Sequence, residues 1–353
     1  MHGQSQSSLS GLLIGVAVVL AIVVGVIAVL WIRPSGERGS GLPQHYEYDL
    51  KDYKQIDPAL IHYQQTAEIP VGMKEPRAVA TGPEDRIYVA GDLAVVVFSP
   101  EGVKTAEIAL DAQPRCLAVG GAEHRFPGRI YAGMKDHVEV YDPDGTRLAS
   151  WDSLGQQAVL TSIALAETDV FLADAGGRIV WRCDTSGKTI GRIGQRDEDR
   201  NIRGFTIPSP YFDVAVAPDG LLRAVNPGAR RIEAYTFDGH LELHWGKALM
   251  GIEGFCGCCN PANMALLGDG RVVTAEKGIP RVKVYGATGD FECVVAGPKT
   301  LAPTPTATEE TRSKHRLKVV DVATDGRGRI LVLDPEAGLV RIFQHKTSKT
   351  EVP

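Results

Sequence analysis

A phrase that recurs six times constrains the fold of this chain more than any other sequence feature. Each copy places an alanine shortly before a turn rich in Gly, Asp or Glu, and a segment rich in Val, Ile or Leu follows that turn. Successive alanines lie 38, 46, 51, 50 and 58 residues apart. They are Ala80, Ala118, Ala164, Ala215, Ala265 and Ala323. Between one alanine and the next, turn signals separate four short strand-like segments, so each repeat predicts a four-stranded unit.

Six such units predict an all-β six-bladed β-propeller over residues 46–353. A single four-stranded sheet is too small to bury a face, whereas radially arranged sheets pack on one another and leave only short edges. The strand-like segment LIHYQQTAEIPVG (residues 60–72) precedes the first repeat, and the last repeat ends at residue 353. We expect the N-terminal strand to complete the last blade and close the ring.

The repeated phrases resemble a known family. A-x-A-x-D-G, as in AVAPDG (215–220), together with phrases such as RIYVAG (86–91), is similar to the NHL-repeat propellers of the membrane-anchored bacterial type over residues 60–346. The resemblance implies the six-bladed fold. It implies no single activity, because the family includes partner-binding modules, sensor domains and enzymes.

The N-terminus predicts a single-pass transmembrane helix. Residues 11–32 hold twenty-two positions without a charge, and a helix of that length extends about 33 Å, enough to cross a bilayer. A tail (1–10) without a basic region precedes it and a flexible linker (33–45) follows, which indicates an uncleaved signal-anchor. Arg33 and Arg38 favour a cytoplasmic body. Because large domains behind such anchors in bacteria are often exported, we expect an extracytoplasmic body. The net charge of −5 argues against nucleic acid as a partner.

Half of the six cysteines lie in the segment GFCGCCNPAN (residues 254–263), which connects blades four and five. We call it the cysteine loop. The same ten-residue slot before the preceding alanine reads GFTIPSPYFD (204–213), where Thr, Pro and Ser take the places of the three cysteines. The scaffold therefore makes this loop without thiols, and a loop at this place should lie near the mouth of the central channel. The cysteines are Cys256, Cys258 and Cys259.

Three uses of these thiols stay open at the sequence level. They could bind a thiophilic metal (Cu, Zn or Fe), with Cys116 in the inner strand of blade two as a further ligand. They could form an exchangeable disulfide, since Cys256 and Cys259 make a C-x-x-C and Cys258 and Cys259 are adjacent. They could also be an inert staple. Cys183 and Cys293 are expected to be packed in the core.

A second candidate site lies in the inner-strand column two residues before the alanines. This column reads Ala78, Cys116, Ser162, Asp213, Asn263 and Asp321. Its carboxylates and amide could bind Ca²⁺ in the channel, an arrangement similar to that of gluconolactonase-type propellers, which implies a lactonase-like or lyase activity. Ala78 departs from that pattern. The structural alternative is that these side chains satisfy backbone groups of neighbouring strands. The absence of G-x-S-x-G, H-E-x-x-H and phosphate-binding motifs from the body favours a non-enzymatic protein.

Charged residues next to the cysteine loop are candidates for the ligand-facing surface: Glu276, Lys277 and Arg281. Residues 298–316 are rich in Pro, Thr and charge and predict a mobile insertion that accounts for the longest repeat spacing. Taken together, the sequence predicts a membrane-anchored binding module that presents its channel-mouth face, with the cysteine loop, to a protein partner or a small ligand. An inert interaction scaffold is the remaining alternative.

Overall fold

The computed structural model describes residues 51–200, 202–301 and 319–346, together with residues 16, 19 and 20. The chain divides into two units, 1–50 and 51–353. The predicted tail, linker and membrane span lie outside the described residues, apart from three helical, exposed positions at Val16, Val19 and Leu20. Among the residues described, no helix is long and apolar enough to cross a membrane. The predicted insertion is described only up to residue 301.

The second unit is a ring of six four-stranded antiparallel sheets, as the repeat predicts. Blades 1 to 3 consist of β2 (Pro76–Thr81), β3 (Ile87–Gly91), β4 (Ala94–Phe98), β5 (Lys104–Ala109), β6 (Cys116–Val119), β7 (Ile130–Gly133), β8 (Val138–Tyr141), β9 (Arg147–Ser150), β10 (Leu160–Leu165), β11 (Asp169–Asp174), β12 (Ile179–Asp184) and β13 (Thr189–Ile193). Blades 4 and 5 consist of β14 (Val214–Val216), β15 (Leu222–Asn226), β16 (Arg231–Tyr235), β17 (Leu241–Trp245), β18 (Asn263–Leu266), β19 (Val272–Glu276), β20 (Arg281–Tyr285) and β21 (Phe291–Ala296).

Blade 6 is built from both ends of the propeller. Its strands are β22 (Asp321–Thr324), β23 (Ile330–Asp334), β24 (Leu339–His345) and the N-terminal β1 (Tyr63–Pro70). β1 pairs antiparallel with β24, from Tyr63 opposite His345 to Pro70 opposite Leu339. This pairing confirms the predicted ring closure.

Short helical turns account for the remaining regular structure of the described body. They are two α-helical turns, α1 (Lys51–Lys54) and α2 (Pro298–Leu301), and three 3₁₀ turns, η1 (Pro58–Leu60), η2 (Pro83–Asp85) and η3 (Pro227–Ala229).

The repeated alanines occupy one equivalent position on the innermost strand of each blade. Ala80 lies opposite Tyr88, Ala118 opposite Tyr131, and each of the other four faces the second strand of its own blade in the same way. Neighbouring blades share a buried apolar cluster at every junction around the ring. The core thus lies between the blades rather than at the axis, which leaves the inner strands free to line a channel. Cys183 and Cys293 are buried in these clusters, as expected.

Candidate functional site

The inner strands enclose a cavity of about 1340 Å³ at the centre of the ring. All six members of the predicted column line it: Ala78, Cys116, Ser162, Asp213, Asn263 and Asp321. The sequence therefore identifies the channel wall. The contacts of these side chains decide what the wall can do.

The two channel aspartates bind backbone groups of the next blade. Asp213 in blade 4 accepts a hydrogen bond at Oδ2 from the Met264 amide of blade 5 (2.5 Å), and its Oδ1 accepts from Val214 (2.8 Å). Asp321 in blade 6 accepts at Oδ2 from the Val79 amide of blade 1 (2.8 Å). Each carboxylate thereby connects two blades.

Asn263 and Ser162, the amide and hydroxyl side chains of the column, also bind backbone groups of the next blade. Asn263 in blade 5 donates through Nδ2 to the Val320 carbonyl at the start of blade 6 (2.8 Å). Ser162 in blade 3 accepts at Oγ from the Val214 amide of blade 4 (3.3 Å). From blade 3 onward the column is a chain of inter-blade hydrogen bonds, which is the structural alternative raised by the sequence.

Burial also changes the charge of the two aspartates. It raises the pKa of Asp213 to about 6, although hydrogen bonds from Ser162 and backbone amides oppose it. Burial and then the negative charge of Asp213 raise the pKa of Asp321 to about 7. Near neutral pH the free pair therefore carries less than its full negative charge, so a divalent cation would have to displace protons in order to bind.

Cys116 lies in the channel wall, away from the other thiols. Its Sγ sits so close to Gly133 that a Cβ built there would lie 2.3 Å from the sulfur. Burial, reinforced by Asp213 and Asp321, raises the pKa of this thiol well above its usual range. Among the residues described, no three His, Cys, Asp or Glu side chains are grouped as a metal site requires. The structure thus does not bring Cys116 together with the loop thiols.

The cysteine loop connects β17 to β18 and stands beside the channel mouth. None of its three cysteines lines the described channel cavity, whereas Pro210 and Tyr211 of the preceding connection do. Lys277, next to the loop, places its ammonium 4.5 Å from the centre of the Tyr211 ring. The loop cysteines therefore lie just outside the rim, whereas Asn263 at the end of the loop lines the cavity.

The two ten-residue slots are structurally equivalent. Phe255 packs against Tyr285 of its own blade with ring centres 5.4 Å apart, and Phe205 packs against Tyr235 at 5.7 Å. Both phenylalanines are buried. The aromatic anchor therefore shapes the loop in both blades, and the cysteines are additions to it.

The structure separates the three loop cysteines into two groups. Cys258 is exposed and Cys259 is buried, and their sulfur atoms lie 3.4 Å apart. Cys256 points instead towards the thioether of Met250, with Sγ 3.2 Å from Sδ. All six cysteines lie in the described part of the chain, and all are thiols.

Polar groups of two neighbouring connections contact Cys259. Lys277 donates from Nζ to the Ser209 hydroxyl (3.0 Å), and both side chains interact with the Cys259 thiol. Asn260 fixes Lys277 to the loop, because its Oδ1 accepts from the Lys277 amide (2.9 Å) and its Nδ2 donates to the Lys277 carbonyl (3.0 Å). Ser209 occupies the slot position that corresponds to Cys259 itself.

These contacts lower the pKa of the Cys259 thiol and so activate it. Burial alone would raise the pKa of the thiol, but hydrogen bonds from Ser209 and Cys258 and the positive charge of Lys277 outweigh it and lower the pKa below the ordinary value. For Cys256, burial dominates and raises the pKa. Cys259 is therefore the loop thiol best suited to act as a nucleophile.

A buried ionic cluster lies beneath the loop. Glu276 pairs with Arg281 (2.5 Å) and with Lys283, and all three side chains are at most 1% exposed. Lys283 donates to the carbonyls of Ile252 (3.0 Å) and Gly254 (2.7 Å). Two of the three predicted ligand-face residues, Glu276 and Arg281, thus brace the loop from inside instead of facing a ligand. Only Lys277 reaches the rim.

Sequence reasoning missed three residues that contact the loop thiols or the loop backbone: Ser209, Met250 and Lys283. Lys283 follows Arg281 by two positions on the same strand face, so strand periodicity could have grouped it with Arg281. Ser209 and Met250 carry no local signal, because their contacts depend on how two connections fold against each other.

Comparison with known proteins supports the fold and gives no evidence on function. Neither a family model nor a curated protein matches the chain. Among solved structures, a streptogramin B lyase is 12% identical with a TM-score of 0.54, covering 82% of this chain and 100% of its own. A protein of unknown function from Bacteroides thetaiotaomicron is 15% identical with a TM-score of 0.53, covering 78% and 70%. A catalytically inactive variant of virginiamycin B lyase from Staphylococcus aureus, with quinupristin, is 12% identical with a TM-score of 0.51, covering 79% and 83%. At such identities the similarity shows a shared propeller fold alone.

Proposed function

We propose that this chain is a membrane-anchored, NHL-like propeller whose Cys258–Cys259 pair exchanges thiol and disulfide with a partner at the rim of the channel mouth. One observation carries the proposal: two thiols lie 3.4 Å apart, the exposed one beside a buried one that contacts Lys277 and Ser209. Disulfide exchange needs an activated thiolate that a partner can reach, and this pair places an activated thiol directly beside an exposed one.

The exchange balances as a two-electron reaction. A movement of the loop must first expose the buried Cys259. Its thiolate then attacks a sulfur of the partner disulfide, whose S–S bond breaks, and the leaving thiolate takes a proton from solvent. The Cys258 thiolate then attacks Cys259 in the mixed disulfide, which forms the Cys258–Cys259 bond and releases the second partner thiol. The partner gains two electrons and the pair loses two. The reverse sequence oxidises a dithiol partner.

Disulfide exchange accounts for the geometry better than a resident thiolate metal. A closed zinc site takes four ligands, and the described residues offer no group of three His, Cys, Asp or Glu side chains. Two sulfur atoms are sufficient for exchange. They must approach from 3.4 Å to about 2.05 Å to bond. Because neighbouring Cα atoms lie only about 3.8 Å apart across a trans peptide, below the usual separation in a disulfide, the eight-membered ring that forms is strained.

The proposed partner is a protein or small molecule that carries a disulfide or a dithiol. An extracytoplasmic body, which we expect because large domains behind such anchors are often exported and in spite of Arg33 and Arg38, would meet disulfides in an oxidising compartment. Labelling of Cys258 by a membrane-impermeant maleimide in intact cells tests this placement. Labelling supports an outward-facing body, and protection until the cells are lysed contradicts it.

Trapping tests the exchange. A Cys258→Ser variant keeps the attacking thiol but loses the resolving one, so oxidised glutathione should convert it into a stable mixed disulfide at Cys259. A Cys256→Ser variant is the matched control and should form the Cys258–Cys259 disulfide like the unmodified protein. Failure of Cys259 to form a mixed disulfide in the Cys258→Ser variant would refute the proposal.

The lactonase-like or lyase alternative ranks second. The channel is large enough for a ligand and two of the fold neighbours are lyases, but the Oδ2 atoms of Asp213 and Asp321 each already accept a hydrogen bond from an adjacent blade. His124 is the one histidine among the described residues that line the cavity. Both of its ring nitrogens are already hydrogen-bonded, to the Ala166 carbonyl and the Tyr131 hydroxyl. Lactone hydrolysis or bound Ca²⁺ that is lost in an Asp321→Asn variant would reverse this ranking.

A further inference from the structure

We propose that Met250 and Cys256 form a binding site for a soft monovalent cation, Cu(I), separate from the Cys258–Cys259 pair. The thiol of Cys256 lies 3.2 Å from the thioether of Met250, and each side chain is partly exposed. Two sulfur ligands therefore face each other at a position that an ion can reach from solvent.

The backbone on both sides of this sulfur pair is fixed. Arg281 donates to the Met250 carbonyl (3.4 Å), and Asn260 donates from Nδ2 to the Cys256 carbonyl (2.5 Å). Between these two points, Lys283 holds the carbonyls of Ile252 and Gly254. The ligands are thus presented by a segment that is braced at both ends and in its middle, so little ordering is needed on binding.

The donor types select the ion. Thiolate and thioether are soft ligands that prefer Cu(I), whereas hard cations such as Mg²⁺ and Ca²⁺ take oxygen ligands. Binding replaces the thiol proton: Cys256–SH and Cu(I) give Cys256–S–Cu and one proton. Burial raises the pKa of the Cys256 thiol and so opposes this step, whereas the charges of Arg281 and Lys283 favour the thiolate that forms and Glu276 partly offsets them. The two sulfurs must move apart to admit the ion.

This site stands apart from the proposed exchange reaction. It uses Cys256 and Met250, whereas the exchange uses Cys258 and Cys259, so either can fail without the other. Met250 also distinguishes it from a purely thiolate site, because a thioether takes no part in disulfide exchange.

Competition for Cu(I) tests the site in the reduced full chain, solubilised in detergent without oxygen, against bathocuproine disulfonate. We expect one bound equivalent. A Met250→Leu variant should bind at least tenfold more weakly, and a Cys256→Ser variant should lose the equivalent. A Met134→Leu variant, which alters a buried thioether of blade 2, and the Cys258→Ser/Cys259→Ser double variant should bind as tightly as the unmodified protein.

Three results would overturn the proposal. They are no bound equivalent in the unmodified chain, equal affinity in Met250→Leu, or loss of the ion in the Cys258→Ser/Cys259→Ser variant. X-ray absorption of the copper-loaded protein gives an independent reading. Two sulfur neighbours that fall to one in the Met250→Leu variant support the site, and an unchanged sulfur count refutes it.

Discussion

At the scale of single residues, environment rather than identity decides what each cysteine does. Cys116 is held as a neutral thiol by burial and by two acidic neighbours. Cys259 is also buried, yet Ser209 and Lys277 stabilise its thiolate. Its neighbour Cys258 is exposed to solvent. Sequence spacing alone predicts that all three could be ligands of one site. Their different reactivities follow only from the contacts that each thiol makes in the structure.

Lys277 should control the reactivity of Cys259. Its ammonium lowers the pKa of that thiol, so a Lys277→Met variant should raise the pKa and slow alkylation of Cys259 at pH 7 by roughly three- to tenfold. A Lys277→Arg variant should restore most of the rate. The pH dependence of iodoacetamide labelling, followed by mass spectrometry of the loop peptide, measures this.

A Lys247→Met variant is the matched control, because Lys247 is exposed and pairs with Glu253, next to the start of the cysteine loop. Equal slowing by the Lys247 and Lys277 variants would show a general effect of charge and not a contact with the thiol.

The channel aspartates should make the fold less stable as pH rises. Their pKa values are raised in the folded state, to about 6 for Asp213 and about 7 for Asp321, from 3.8. A raised carboxyl pKa contributes stability that is full below pH 3.8 and is lost as pH rises through the folded-state values. The free energy of unfolding should therefore fall by roughly 2–4 kcal/mol between pH 5 and pH 8.

An Asp321→Asn variant should flatten this dependence, since it removes the charge and keeps an oxygen for the Val79 amide. Urea denaturation at several pH values measures the slope. An Asp269→Asn variant alters a more exposed carboxylate whose pKa is lowered, and it should leave the fall between pH 5 and pH 8 in place. A slope that Asp321→Asn does not change would show that this carboxyl titrates normally.

At the scale of elements, blades 4 and 5 brace the same loop with different side chains. In blade 4, Asn226 accepts from the Thr206 amide (3.0 Å) and donates to Glu233 (2.9 Å), which also binds Arg231. In blade 5, the corresponding positions are Glu276, Lys283 and Arg281. The loop is therefore held from below in both blades, but blade 5 uses a fully ionic cluster under the cysteines.

Removing Lys283 should loosen the cysteine loop. A Lys283→Met variant leaves two loop carbonyls without a donor and Glu276 with one partner fewer, and the loss of one member of a buried ion pair costs about 3–5 kcal/mol. Hydrogen exchange at residues 252–260 should accelerate, and the Cys258–Cys259 pair should become more accessible to thiol reagents.

A Glu233→Gln variant, which weakens the equivalent brace in blade 4, should lower overall stability without changing exchange in the cysteine loop. If both variants changed the cysteine loop equally, the brace would act through the whole propeller and not locally.

The repeat and the slot comparison could be read from sequence because they follow local rules. An alanine column predicts inner strands, and the shared Gly-Phe opening of 204–213 and 254–263 predicts equivalent loops. The contacts of Ser209, Met250 and Lys283 could not be read in this way, since each depends on how closely a connection approaches a neighbouring element. For the same reason the sequence predicted Glu276 and Arg281 on the ligand-facing surface. Their charge suggested exposure, and the sequence does not show that they pair with each other in the interior.

At the scale of the whole molecule, stability depends on closing the ring. β1 completes blade 6, and its Tyr63 and Ile69 are buried in clusters shared with blades 5 and 1. Without this strand, β24 would be an unpaired edge, and the two junctions would each lose an apolar side chain worth about 1.5–3 kcal/mol.

Deletion of residues 1–70 should therefore abolish cooperative unfolding and promote aggregation. Deletion of residues 1–45, which keeps β1, is the control and should leave the melting temperature unchanged. Calorimetry and size-exclusion chromatography measure both. A peptide of residues 60–72 added in trans should partly restore the shorter chain by pairing with β24. An unaltered melting transition after loss of β1 would contradict the ring-closure account.

The central claim, that Cys258 and Cys259 form a reversible dithiol–disulfide couple, is tested most directly by a redox titration of the full chain. The protein is equilibrated with glutathione buffers of graded potential, and the oxidation state of each cysteine is read by mass spectrometry. We predict that two electrons leave the 258–259 peptide reversibly at one midpoint potential, while Cys116, Cys183, Cys256 and Cys293 remain thiols. A pair that stays reduced at every potential, or that oxidises only through another cysteine, would contradict the claim.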